Sequence, residues 1–139
     1  MLILIESDAF YKKGDIVDAP FPYQEDSEEE KYRPVLILAP SLIKGGLICA
    51  FITSKSRKDG VIAISAKDFK EGMLSTDYES SYIQPSTLYT LNSKVIRKKY
   101  GTLKDEKLDE VVKVLVNLLQ KQPESPPTSK AFERPKKPF

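Results

Sequence analysis

Three stretches of the chain carry side chains suited to holding a phosphate or a base. The first is Lys31-Tyr32-Arg33-Pro34-Val35-Leu36-Ile37-Leu38. Pro34 confines Arg33 to extended backbone, which suits the start of a strand emerging from a loop. A permanently charged, forked donor at such a place can grip a phosphate. The competing reading pairs Arg33 with the acidic loop just before it, Glu25, Asp26, Glu28, Glu29 and Glu30. The second stretch is Phe51-Ile52-Thr53-Ser54-Lys55, with Arg57 and Lys58 close behind. Two hydroxyls at a strand end, flanked by cations, could hydrogen-bond and neutralise a phosphodiester. A plain strand running into a solvated charged loop would look the same. The third stretch, Ser81-Tyr82-Ile83-Gln84-Pro85-Ser86-Thr87-Leu88-Tyr89-Thr90-Leu91, leads to Arg97-Lys98-Lys99-Tyr100-Gly101. Tyrosine and Gln84 near that basic cluster could stack on and bond to bases of a single strand. Alternatively Ile83, Leu88 and Leu91 are core, and residues 97–99 form an edge strand protected by charge.

Composition narrows the chemistry further. The 139 residues contain no histidine and one cysteine, Cys49. Imidazole bases, Ser-His-Asp and Cys-His nucleophile sites, His-ligated zinc, Cys-rich metal clusters and an internal disulfide are all excluded. Arg, Lys, Tyr, hydroxyls and carboxylates remain, and no metal or cofactor is expected. The net charge is +2, but residues 1–120 carry 17 basic and 18 acidic side chains, so the cationic excess lies in the tail. A globally basic surface for duplex DNA is absent, and any nucleic-acid contact must be local. The apolar start Met1-Leu2-Ile3-Leu4-Ile5 is too short for a signal core or a membrane span, so a cytoplasmic location without membrane contact is expected.

These residues need elements to position them. Short apolar runs at residues 16–21, 34–38, 47–53, 61–65, 81–84 and 94–100 read as strands. Lys44-Gly45-Gly46 predicts a hairpin joining residues 35–39 to 47–53. Six short strands point to a small barrel closed to remove its edges. Leu108, Val111, Val112, Leu115, Leu118 and Leu119 recur at spacings of three and four, predicting an amphipathic helix over about residues 104–120, with Thr102 and Asp105 as its start signal. No repeat is visible. The chain therefore reads as one mostly β domain with a C-terminal helix over residues 1–120, followed by a basic tail, 121–139, holding five of the ten prolines.

Taken in order, Gly14-Asp15-Ile16-Val17, Tyr32-Arg33-Pro34-Val35-Leu36-Ile37-Leu38, Ile52-Thr53-Ser54, Ser81-Tyr82-Ile83, Leu88-Tyr89-Thr90-Leu91 and the closing segment Ile96 to Leu119 resemble the PemK/MazF family of toxin endoribonucleases. The resemblance implies an SH3-like barrel with a C-terminal helix, a homodimer, and metal-independent cleavage of single-stranded RNA at short sequences. It implies a cognate antitoxin as partner. The family's key arginine falls on Arg33 and its key threonine on Thr53, with Ser54 beside it. Products would be a 2′,3′-cyclic phosphate and a 5′-hydroxyl. The alternative is a catalytically silent SH3-like barrel that binds nucleic acid or a peptide, since fold does not establish function. Pro123-Glu124-Ser125-Pro126 and Pro135-Lys136-Lys137-Pro138 have the spacing of polyproline ligands. A tail that folds back and inhibits its own enzyme is a third possibility.

Overall fold

Runs such as Val35-Leu36-Ile37-Leu38 are apolar at every position, which suits a strand covered on both faces rather than one that alternates toward solvent. The computed structural model describes residues 11–20, 31–54, 60–74 and 81–123, and bears this out. Seven strands, β1 (Asp15–Pro20), β2 (Tyr32–Pro40), β3 (Gly46–Thr53), β4 (Ile62–Ile64), β5 (Phe69–Gly72), β6 (Ser81–Asn92) and β7 (Lys98–Leu103), precede the helix α1 (Asp105–Leu119). They form one antiparallel sheet in the order β4-β6-β3-β2-β1-β7-β5. The loop that carries the acidic run 25–30 lies outside the described residues.

Alternate residues of β1, β2 and β3 feed two separate cores. Ile16, Leu36, Leu38, Ala50, Ile52 and Ile83 point to one side, where they meet Ile62 and Ile64 of β4, Phe69 of β5, and Leu108 and Val111 of α1. Val17, Ala19, Val35, Ile37, Cys49 and Leu91 fill the other side, with Phe51 and Tyr89 packed against them. Each fully buried Leu or Ile contributes roughly 1.5–3 kcal/mol. Because β4 and β5, the two ends of the sheet, share a core, the sheet must curl into a half-barrel. Among the described residues the ring is not closed by a β4–β5 ladder. Leu108 and Val111 supply apolar cover on that side instead.

The expected hairpin joins β2 to β3, with Gly46 N–H donating to the Ile43 carbonyl and Gly45 at φ +83°, where glycine is favoured. Other expectations needed correction. The strand at 81–84 runs on to Asn92, because Pro85 lies where the β3 pairing skips from Leu88 to Gln84, and needs no ladder donor there. A 3-10 turn at Ser93–Val95 delays β7 to Lys98. Strand β5 has one buried residue, Phe69, in Phe69-Lys70-Glu71-Gly72, so it lacks any alternating apolar signal. The helix is preceded by Lys104 with no side-chain cap; Thr102 is buried in β7, and its hydroxyl donates to Asp15 instead. Its last turn extends past the core: Leu118 and Leu119 are exposed, contrary to the expected buried stripe.

Burial of Cys49 pushes its thiol up to about 12 from an ordinary 9.0. Above pH 9 the unfolded chain ionises this thiol while the folded chain keeps it protonated. Its contribution to stability is therefore complete below pH 9 and lost as the pH climbs toward 12. Native protein at pH 8 is expected to resist a thiol reagent until denaturant is added; rapid labelling of the folded form would contradict this burial.

Candidate functional site

Arg33 is the second residue of β2 and is exposed; Thr53 is the last residue of β3 and is half-buried. The β2–β3 ladder pairs Leu36 with Ala50 and Val35 with Phe51. The paired stretch ends at Val35 and Phe51, so Arg33 and Thr53 each lie two residues beyond it at the same end of the two strands, and Arg33 pairs with Ala19 of β1. Both belong to the odd-numbered face shared by Val35, Ile37, Cys49 and Phe51. The next strand extends that face, since β6 places Tyr82 opposite Thr53 and Gln84 opposite Phe51. Arg33, Thr53, Tyr82 and Gln84 thus line one rim from three strands that are distant in sequence.

The floor beside this rim is aromatic. Phe51 and Tyr89 meet edge to face with centroids 4.9 Å apart, and the Tyr89 hydroxyl donates to the Pro20 carbonyl at 3.5 Å. Such a floor fixes the β3–β6 face on which Thr53 and Gln84 stand. Ser54 follows directly on Thr53 and is exposed. Lys55 and Arg57 lie outside the described residues. The arrangement offers a guanidinium, a hydroxyl and an amide, all able to donate to phosphate oxygens. Among the described residues no three His, Cys, Asp or Glu side chains are grouped to hold a metal ion. No helix there is long and apolar enough to cross a membrane.

The Gly14-Asp15 motif has a different task. Asp15 is fully buried and accepts from the Lys12 N–H and the Thr102 hydroxyl, each at 2.9 Å. Gly14, at φ +96°, donates to the Ile37 carbonyl of β2 and accepts from the Leu103 N–H of β7. The pair therefore ties the start of β1 to the strands on both sides, and it stands away from the Arg33 rim.

A second polar cluster escaped the sequence reading. Asp18, 1% exposed among the apolar residues 16–20 of β1, accepts from Arg97 at 2.6 Å and from the Tyr100 hydroxyl at 3.0 Å. The Arg97 guanidinium also lies over the Tyr32 ring, 3.9 Å from its centroid. Burial, followed by the hydrogen bond to Asp18 and its negative charge, raises the Tyr100 hydroxyl above its ordinary pKa, against an opposing effect of Arg97. An aspartate inside an apolar run was the available signal, because a buried charge requires partners. On β7, β5 pairs only with residues 101–103, while Lys98 and Lys99 pair with β1 alone among the described residues, as an edge would. The cations of the run 97–99 are engaged with Asp18, with Glu71 and Asp15, and with the Tyr100 ring.

Solved structures with the same fold include a Mycobacterium tuberculosis toxin, MazF-mt6, at 17% identity and a TM-score of 0.55, covering 76% of this chain and 95% of that one. MazF from Deinococcus radiodurans is similar at 20% identity and a TM-score of 0.61, covering 81% and 98%. An endoribonuclease in complex with its cognate antitoxin, from a mycobacterial species, is similar at 15% identity and a TM-score of 0.57, covering 80% and 97%. No curated protein sequence matches the chain significantly. The model of the PemK-like, MazF-like toxins of type II toxin-antitoxin systems matches residues 12–119, well over half of the sequence and spanning every strand and the helix, so the chain belongs to that family.

Proposed function

We propose that this toxin is a metal-independent, sequence-specific endoribonuclease that cleaves single-stranded RNA. The observation behind the reading is that Arg33 of β2 and Thr53 of β3 lie at the same end of two paired strands, each two residues past the Val35–Phe51 pair. The ribose 2′-hydroxyl attacks the adjacent phosphorus, the P–O5′ bond breaks, and a 2′,3′-cyclic phosphate and a 5′-hydroxyl remain. The protein's task in such a step is to position the strand and stabilise charge on the phosphoryl oxygens. Arg33 donates to those oxygens and supplies a full positive charge; its high pKa makes it a poor base. Thr53 holds the scissile phosphate from the facing strand. Ser54, Lys55, Arg57 and Gln84 bind the flanking strand.

The same reading makes the protein a cytoplasmic homodimer whose partner is a cognate antitoxin. Support for a protein partner comes from similar structures described as MazE–MazF and as an endoribonuclease with its antitoxin. Induced expression in a bacterial host is the direct test. Growth arrest by the wild type, relieved by Arg33→Ala and by Thr53→Ala, is expected. Normal growth with intact, folded wild-type protein would instead favour a silent binding module.

A further inference from the structure

Arg97 is held by more partners than an exposed arginine needs. Its Nη2 and Nε both donate to Asp18 Oδ2, at 2.6 and 2.9 Å, and its backbone N–H donates to the Asp18 carbonyl at 2.9 Å. The Tyr32 ring lies beneath the guanidinium at 3.9 Å. Even so, 56% of the Arg97 side chain is exposed. One edge of the plane is occupied by the carboxylate and one flat face by the ring. The rotamer freedom that a long side chain normally loses on binding is already lost in the fold.

Resting on the nuclease reading, we infer that the outer flat face of Arg97 is a stacking platform for one base of the RNA strand, with Tyr32 as the layer below. A base suits this place better than a phosphate. Asp18 takes two of the guanidinium's donors and balances its charge, so an incoming anion would find little net attraction. A base needs neither; it needs a rigid planar surface, and an arginine plane serves as well as an aromatic ring. Stacking is tolerant of base identity, so this subsite adds affinity and fixes the path of the strand rather than reading sequence. Tyr32 and Arg33 are neighbours in β2, but successive side chains face opposite sides of a strand. The stacked base therefore belongs to a nucleotide other than the one whose phosphate Arg33 holds.

The test uses a 2′-O-methyl copy of an RNA that the wild-type protein cuts, which lacks the attacking hydroxyl and stays intact. An abasic ribose is walked through it, and affinity is measured for the wild type, Arg97→Lys and Tyr32→Leu. Arg97→Lys keeps the charge and an ion pair to Asp18 but removes the planar face. At one position the abasic site is expected to weaken wild-type binding roughly tenfold and to have no effect on Arg97→Lys. The same penalty in both proteins at every position would overturn the platform while leaving the nuclease reading intact. Should Arg97→Lys fail to fold, Tyr32→Leu decides, since it keeps the Asp18 pair and removes the support; an unchanged penalty there also overturns the proposal. A wild-type protein that cuts no RNA would overturn both.

Discussion

Arg33→Ala is expected to lower the rate of RNA cleavage by roughly 10²–10³-fold, the usual cost of removing one donor aimed at charge that develops in the transition state. Most of the loss should fall on kcat rather than on KM, because a guanidinium engaged most strongly with the reacting phosphate discriminates the transition state from the bound substrate. Stability should barely change, within about 0.5 kcal/mol, since Arg33 is exposed at the start of β2. Arg33→Lys keeps the charge but not the forked donor pair, and should recover only part of the rate. Single-turnover cleavage by the three proteins checks this. Equal rates for wild type and Arg33→Ala would remove Arg33 from the mechanism.

The second large effect concerns folding. Asp15→Ala takes away the acceptor for the Thr102 hydroxyl and the Lys12 N–H, and Thr102 is itself buried. Losing this buried acceptor, with only the longer Thr102 contact to Glu71 at 3.4 Å remaining, is expected to cost about 2 kcal/mol, or roughly 8 °C in Tm for a domain of this size. Asp15→Asn retains one acceptor oxygen and should lose distinctly less. Thermal unfolding of both variants measures the difference. A wild-type Tm for Asp15→Ala combined with lost cleavage would move Asp15 from the scaffold into the active site.

That contrast shows which features were legible in the sequence. The apolar runs around Ile16, Leu36, Ile52 and Ile83 are sheet residues because their strands are covered on both faces, and the stretch from Leu108 to Leu115 has helical period because one side lies on the core. The Gly-Gly hairpin makes β2 and β3 neighbours, but their register shifts between Ile37 and Ala39, so the turn alone does not give the pairing at Val35 and Phe51 or the placement of Arg33 and Thr53 beyond it. Strand β5 was not legible: Lys70, Glu71 and Gly72 are exposed, and its pairing with β7 depends on main-chain bonds that leave no pattern in side-chain type. The Asp18–Arg97 pair joins residues far apart in the chain, and only the β1–β7 neighbourhood makes them partners. Leu118 and Leu119 continue the helical period beyond the core, so periodicity alone overstates what the helix buries.

The proposed cleavage requires the Arg33 guanidinium and the Thr53 hydroxyl to act together on one phosphodiester. Purified protein incubated with single-stranded RNA in excess chelator, followed by analysis of the new termini, tests it most directly. The expected products end in a 2′,3′-cyclic phosphate and begin with a 5′-hydroxyl. Uncut RNA, or fragments that begin with a 5′-phosphate, would contradict it.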